Sequence, residues 1–235
     1  MICGGSCAAA CPYEAMKLLN NSSQQLEARI RAILPRMQGN DALAFVCSWG
    51  GQGAAELAAM KGLSYSSRVY LIPVNCLGSI DPTILSMAFL NGANGILLAG
   101  CPPTASCHYG YGVDHTWHRV YLMKKLLDMS GVERKRINLG YVDVNQPDGF
   151  VRMVDSFLDN LDRMGPVDRS EDRKKKLLAA HATMHRPRVR WVLGVSLRRP
   201  TEQEFPGDQY NSGISTIACR MYCGRNIWPP GLSAP

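Results

Sequence analysis

Gly95-Ile96-Leu97-Leu98-Ala99-Gly100-Cys101-Pro102 decides how this chain is read. A short apolar run closed by Gly and Pro has the length and composition of a strand buried on both faces. Its carboxyl end carries a cysteine. Two earlier runs repeat the arrangement: Leu43-Ala44-Phe45-Val46 is followed directly by Cys47, and Val69-Tyr70-Leu71-Ile72-Pro73-Val74 leads to Cys76. A fourth run, Ile137-Asn138-Leu139-Gly140-Tyr141-Val142, completes the set. Helical patterns lie between them: Ala54 to Met60, Asp81-Pro82 through Leu90 with Pro in its favoured first turn, Trp117 to Met129, and Gly149 to Met164. Another helix, Ser23 to Met37, precedes the first strand, with Leu26, Ile30, Ile33 and Leu34 at helical spacing.

Strands alternating with helices predict right-handed crossovers and an open parallel α/β sheet with helices on both faces, flavodoxin- or Rossmann-like. The expected organisation is a Cys-rich segment and helix over 1–39, the α/β domain over 40–166, and a basic tail over 167–235. That tail begins with a charged helix, Asp172 to Met184, and becomes irregular and rich in Gly and Pro.

Composition narrows the function. The chain has 235 residues, 46% hydrophobic and 19% charged, so a globular protein is expected, with one substantial core. No apolar run is long enough for a membrane span, and Met1-Ile2-Cys3-Gly4-Gly5 lacks the start of a signal peptide. A cytoplasmic address is therefore expected. There, nine cysteines point to metal ligation more than to disulfides. The net charge of +7 is concentrated in Arg173-Lys174-Lys175-Lys176, Arg186 to Arg190 and Arg198-Arg199. With Trp191 as the one interleaved aromatic, this suits docking on an acidic protein better than nucleic-acid binding.

In open parallel sheets, ligands bind outside the carboxyl ends of the strands. Cys47, Cys76 and Cys101 all project from that edge, and neighbouring strands lie about 4.8 Å apart. Cys107, on the loop after Cys101, can fold back as a fourth ligand. Four thiolates suit zinc or an iron–sulfur cluster. The absence of paired CxxC knuckles, and ligands spread over rigid strand ends, favour the cluster. Gly51-Gln52-Gly53-Ala54-Ala55-Glu56 imitates a dinucleotide fingerprint, but Glu56 stands where Gly or Ala belongs. Its glycines are expected to pass close to the cluster instead. Cys107-His108 lacks an orienting partner for nucleophilic chemistry.

Four stretches together resemble the delta subunit of methyl-viologen-reducing hydrogenase, over roughly residues 41 to 166. They are Phe45-Val46-Cys47-Ser48-Trp49, Val74-Asn75-Cys76-Leu77-Gly78-Ser79-Ile80-Asp81-Pro82, Gly95 to Cys101, and Cys107-His108-Tyr109 with Gly112 and Arg119-Val120. The tail Arg188 to Gly194 resembles the segment that follows this domain in larger relatives. The resemblance implies a [2Fe-2S] cluster on Cys47, Cys76, Cys101 and Cys107. It also implies a relay of electrons between a donor or acceptor oxidoreductase and a flavoprotein of the heterodisulfide reductase A type, within a hetero-oligomer and without substrate chemistry of its own. The chain departs from the family at Val46 and Gly50, where further cysteines are common. It departs again in the Cys101–Cys107 spacing, one residue longer than usual, and at Val113, which replaces an Asn. A zinc-stabilised module binding protein or nucleic acid through the basic tail is the alternative.

The N-terminal Cys3, Cys7 and Cys11-Pro12 are similar to the end of a bacterial ferredoxin motif. A [4Fe-4S] cluster completed by Cys219, Cys223 or a partner chain is one reading; a vestige of such a module is the other. Cys219 and Cys223 are expected to be structural or incidental. Trp49 and Tyr109 are expected to shield the cluster. His108 is a candidate for tuning it, and His115 and His118 are expected at the surface or in packing. Arg119 is expected to face either the cluster or a surface carboxylate.

Overall fold

A computed structural model describes residues 4–103 and 107–195. The strands β1 (Ala42–Cys47), β2 (Val69–Val74), β3 (Ile96–Gly100) and β4 (Ile137–Tyr141) form a sheet of order β2-β1-β3-β4. Every pairing in it is parallel. The expected α/β fold is therefore present. The helices are α1 (Ser6–Ala10), α2 (Ser23–Ile33), α3 (Gly51–Met60), α4 (Pro82–Leu90), α5 (Gly112–Met129), α6 (Pro147–Met164), α7 (Glu171–Met184) and α8 (Pro187–Val195).

Strand order and handedness distribute the helices. The chain steps from β1 outward to β2, then returns across β1 to β3 and continues to β4. Right-handed crossovers then require α3 on one face and α4 and α5 on the other. Side-chain alternation agrees. Ala42, Ala44, Val46, Leu97 and Ala99 join Ala54 and Ala55 of α3 and Phe150, Val154, Phe157 and Leu161 of α6 in one buried cluster. Leu43, Phe45, Ile96 and Leu98, also fully buried, alternate with them and point to the opposite face. The small alanines of β1 and α3 let α3 lie close; an added Cβ at Gly51 would meet the Ala99 carbonyl oxygen at 2.5 Å. Pro73 is tolerated because β2 is an edge strand.

Most expected elements are present, with boundaries moved for local reasons. The helix expected to Met37 ends at Ile33 and tightens into a 3₁₀ turn, Leu34–Arg36, because Pro35 has no N–H to donate. The helix expected from Trp117 begins at Gly112, more than a turn earlier. Asp81 caps α4, its Oδ1 accepting from the Thr83 N–H at 2.9 Å.

Two short helices went unread. α1 packs on α8 and on the Leu77–Ser79 turn. Gly194 meets Ala10 so closely that no side chain fits between. α7 packs on α4, burying Leu177, Ala180 and Met184, and Ser86 Oγ lies 2.9 Å from His181 Nδ1. Arg190, within the basic stretch, is buried and forms a 2.6 Å ion pair with Asp81. Exposed charge in that region therefore belongs to neighbours such as Lys174, Lys175, Lys176 and Arg188. Among the described residues no helix is long and apolar enough to cross a membrane.

Candidate metal centre

In this sheet the crossovers diverge at β1, which has β2 on one side and β3 on the other. The carboxyl end of the β1–β3 pair is therefore the switch point, where parallel sheets leave a crevice. Cys47 is the last residue of β1 and Cys101 the first after β3. Their sulfurs stand 3.7 Å apart. Two thiolates bound tetrahedrally to one metal at about 2.3 Å are separated by about 3.8 Å, so the spacing suits a shared metal atom. Cys76, just beyond β2, and Cys107 complete the recess, whose other walls are Leu77, Gly100 and Val113. The structure thus brings together all four expected cysteines. Among the described residues no three His, Cys, Asp or Glu side chains are placed to hold a single metal ion, so what the thiols share is a recess rather than a finished mononuclear cage.

The thiols interact strongly. The Cys101 thiol and backbone N–H groups pull Cys47 down to about 7, against its burial. Cys101 and Cys76 together hold Cys107 far below the usual thiol range. The hydrogen bond to Cys107, then burial, pushes Cys76 up, and Cys107 and Cys47 push Cys101 up. The shifts run in opposite directions within the set, Cys47 and Cys107 down and Cys76 and Cys101 up, because four neighbouring negative charges would repel. A cationic iron or zinc centre would remove that limit and let all four ionise. The donor set is soft and sulfur-only, which fits zinc or iron–sulfur and not hard cations.

Glycines make the recess possible. An added Cβ at Gly112, the first residue of α5, would fall on Cys76 Sγ and lie 3.8 Å from Cys107 Sγ. One at Gly78 would meet Ser6 Oγ at 2.6 Å and the Gly112 backbone at 2.8 Å. At Gly50 a Cβ would stand 3.2 Å from Cys101 Sγ. The glycines expected to pass the cluster, Gly51 and Gly53, instead lie against β3 and Val144. Of the glycines between Trp49 and Ala54, Gly50 is the one beside a sulfur. In the sequence it is marked only by the resemblance, as a departure from the family.

Around the rim, Trp49 stacks on His108 with ring centroids 3.6 Å apart and planes 9° from parallel. Trp49 Nε1 donates to Tyr109 Oη at 3.4 Å, and His108 meets Tyr109 edge-on. Trp49 remains half-exposed. His115 and His118 are buried packing residues. Arg119 finds no surface carboxylate: it is buried, and its Nη1 donates to the carbonyl oxygens of Gly78 and Ile80 at 2.7 and 2.8 Å. Cys7 and Cys11 sit on and after α1, exposed and half-buried. Cys3, Cys219 and Cys223 lie outside the described residues.

Residues 42–165, more than half of the chain, match a family model described as methyl-viologen-reducing hydrogenase, delta subunit. The chain belongs to that family. It is 30% identical over 132 residues to the D-type iron-sulfur subunit of the vhc F420-non-reducing hydrogenase of Methanococcus voltae, covering 56% of this chain and 90% of that protein. It is 31% identical over 124 residues to the D-type iron-sulfur subunit of the vhu F420-non-reducing hydrogenase of Methanocaldococcus jannaschii, covering 53% and 92%. It is also 29% identical over 154 residues to the A-type subunit of the ferredoxin:CoB-CoM heterodisulfide reductase of Methanosarcina mazei. That match covers 65% of this chain but only 19% of the relative, so the chain spans a small part of such subunits.

Proposed function

We propose that this chain is an iron–sulfur electron-transfer subunit. Its centre is a [2Fe-2S] cluster on Cys47, Cys76, Cys101 and Cys107. It relays electrons between a donor or acceptor oxidoreductase and a heterodisulfide reductase A-type flavoprotein in a hetero-oligomer. The observation that carries this reading is the 3.7 Å approach of Cys47 and Cys101 at the switch point, with Cys76 and Cys107 in the same recess.

Bound there, the cluster supplies one-electron redox chemistry. The chain's own residues hold it and control its surroundings. Three ligands lie at or just beyond the ends of hydrogen-bonded strands, so their positions change little when charge changes. Cys47, Cys76 and Cys101 are buried, and Leu77 and Val113 keep water from them. The half-exposed Trp49–His108 stack lies between the recess and a partner's surface. In the Methanosarcina protein the matching segment is part of a much longer heterodisulfide reductase chain, which supports docking of a separate chain on the same kind of flavoprotein. The division into 1–39, 40–166 and a docking tail over 167–235 belongs to this proposal, with the exposed lysines of α7 facing an acidic partner.

A [4Fe-4S] cluster at Cys3, Cys7 and Cys11, completed by Cys219, Cys223 or a partner chain, forms its second part. It is supported by the position of α1 beside the turn that follows Cys76: an added Cβ at Gly4 would stand 2.9 Å from Cys76 Cβ, and one at Gly5 3.0 Å from Ser79 Cβ. Two neighbouring centres make a continuous path. Cys11→Ser would lower iron content while leaving the main centre's spectrum intact.

The test of the relay is anaerobic mixing of the reduced chain with an A-type flavoprotein, following flavin absorbance. Rapid bleaching with the native chain and none with Cys76→Ser is expected. Equal bleaching by both would overturn the assignment.

A further inference from the structure

Arg119 is a large cation in the wrong place for a structural residue. It is 1% exposed, and only its Nη1 is satisfied, by the two carbonyl oxygens of the Cys76 turn. Its Nε and Nη2 are buried without a partner. The nearby carboxylate is already engaged: Asp81 Oδ1 accepts from the Thr83 N–H and Oγ1, and Oδ2 accepts from Arg190 Nη2 at 2.6 Å. Arg190 also reaches the half-exposed Glu14 at 3.5 Å. Arg190 thus holds Asp81 and reaches Glu14, while Arg119, with no carboxylate bonded to it, lies under the turn that follows Cys76.

An unpaired buried charge costs several kcal/mol unless something compensates it. Burial does pull Arg119 down to about 10, while Asp81 and Cys76 act in the other direction. At neutral pH it stays charged. Besides Asp81, which Arg190 already holds, the compensation on that side is negative charge on the cysteine sulfurs.

We propose that Arg119 is the internal countercharge of the four-cysteine centre, fixing the Cys76 turn and raising the centre's reduction potential. The inference rests on the cluster assignment above. Adding one electron to the centre adds one negative charge, and a fixed cation stabilises that reduced state more than the oxidised one. Arg119 acts through the Cys76 turn and its field, so it is a positioning residue.

The test is an anaerobic redox titration of the full chain with dithionite and mediators, followed by EPR, on native protein, R119Q and R119K. R119Q removes the charge. At the native midpoint its ratio of reduced to oxidised centre should fall at least tenfold, about 59 mV for one electron. R119K keeps the charge and should stay within about threefold of native. Equal shifts in both variants, or no shift in R119Q, would overturn the proposal and leave a purely structural role. Should R119Q not fold, D81N serves instead. Removing that carboxylate should shift the ratio toward the reduced state, and an unchanged midpoint would contradict the proposal. A native protein without iron and sulfide would sink the cluster assignment and this inference together, whereas a native cluster with an insensitive potential sinks this inference alone.

Discussion

Replacing Gly112 by Ala separates the fold from the site. The residue opens α5 and does not need a left-handed backbone, so Ala there is conformationally free and a better helix former by up to about 1 kcal/mol. Its new Cβ, however, would fall on Cys76 Sγ. To regain ordinary contact near 3.5 Å the sulfur must retreat by roughly 1 Å. Without metal this is cheap, because a rotation of the Cys76 side chain moves the sulfur aside; overpacking of this kind costs about 1–3 kcal/mol at most. With metal it is not cheap, because ligand distances hold to about 0.2 Å. G112A should therefore give a folded chain, with native far-UV dichroism and an apo-protein stability changed by less than about 2 kcal/mol, but with most of its iron and sulfide lost. The assay is iron, sulfide and visible absorbance per chain on anaerobically purified protein, beside urea denaturation of the apo forms. A G112A protein with native cluster content would refute the placement of Cys76 in the recess.

Other outcomes follow from the same contacts. R190M removes one member of a buried pair and leaves Asp81 charged inside, which costs about 3–5 kcal/mol. Because Asp81 keeps two bonds from Thr83, urea denaturation should give a loss near the lower end, and a loss under about 1 kcal/mol would show the pair to be unimportant. Burial, then the neighbouring His185, lowers the pKa of His181 in the folded chain below its unfolded value. Above about 6.5 both states are neutral and nothing changes; as pH falls through 6.5 toward the folded value the unfolded chain takes up the proton first and α7 loses stability. Protection factors of α7 amides, with the pH dependence of intrinsic exchange divided out, should fall as pH drops from 7.5 to 5.5, and H181Q should flatten that dependence. Phe150→Ala, in the α6 cluster, should cost about 3–5 kcal/mol without altering the visible spectrum of the folded fraction.

The sheet could be read from the chain because its strands are short, apolar and closed by Gly, Pro or Cys, and the helices between them are long enough to show periodicity. The cysteines were legible for the same reason: a residue that follows a parallel strand has its sheet edge fixed by direction alone. What the pattern did not disclose depends on close approach. Gly112 and Gly50 look like loop glycines until Cys76 and Cys101 are seen against them. Arg119 stood out beside the ligand loop, but its burial and its two carbonyl partners depend on the turn after Cys76 folding over it. Arg190 lay in a basic run that suggested solvent, yet Pro187 before Val189, Val192 and Leu193 was a helix start with an apolar face, and Asp81 awaited it across the fold. α1 was too short for periodicity to declare it.

The most direct test of the account measures iron, zinc and acid-labile sulfide on one anaerobically purified sample, with EPR before and after dithionite. Iron and sulfide in equal amounts, a signal that appears on reduction, and its loss in Cys76→Ser are expected. A colourless protein carrying zinc in place of iron, or carrying no metal, would contradict it.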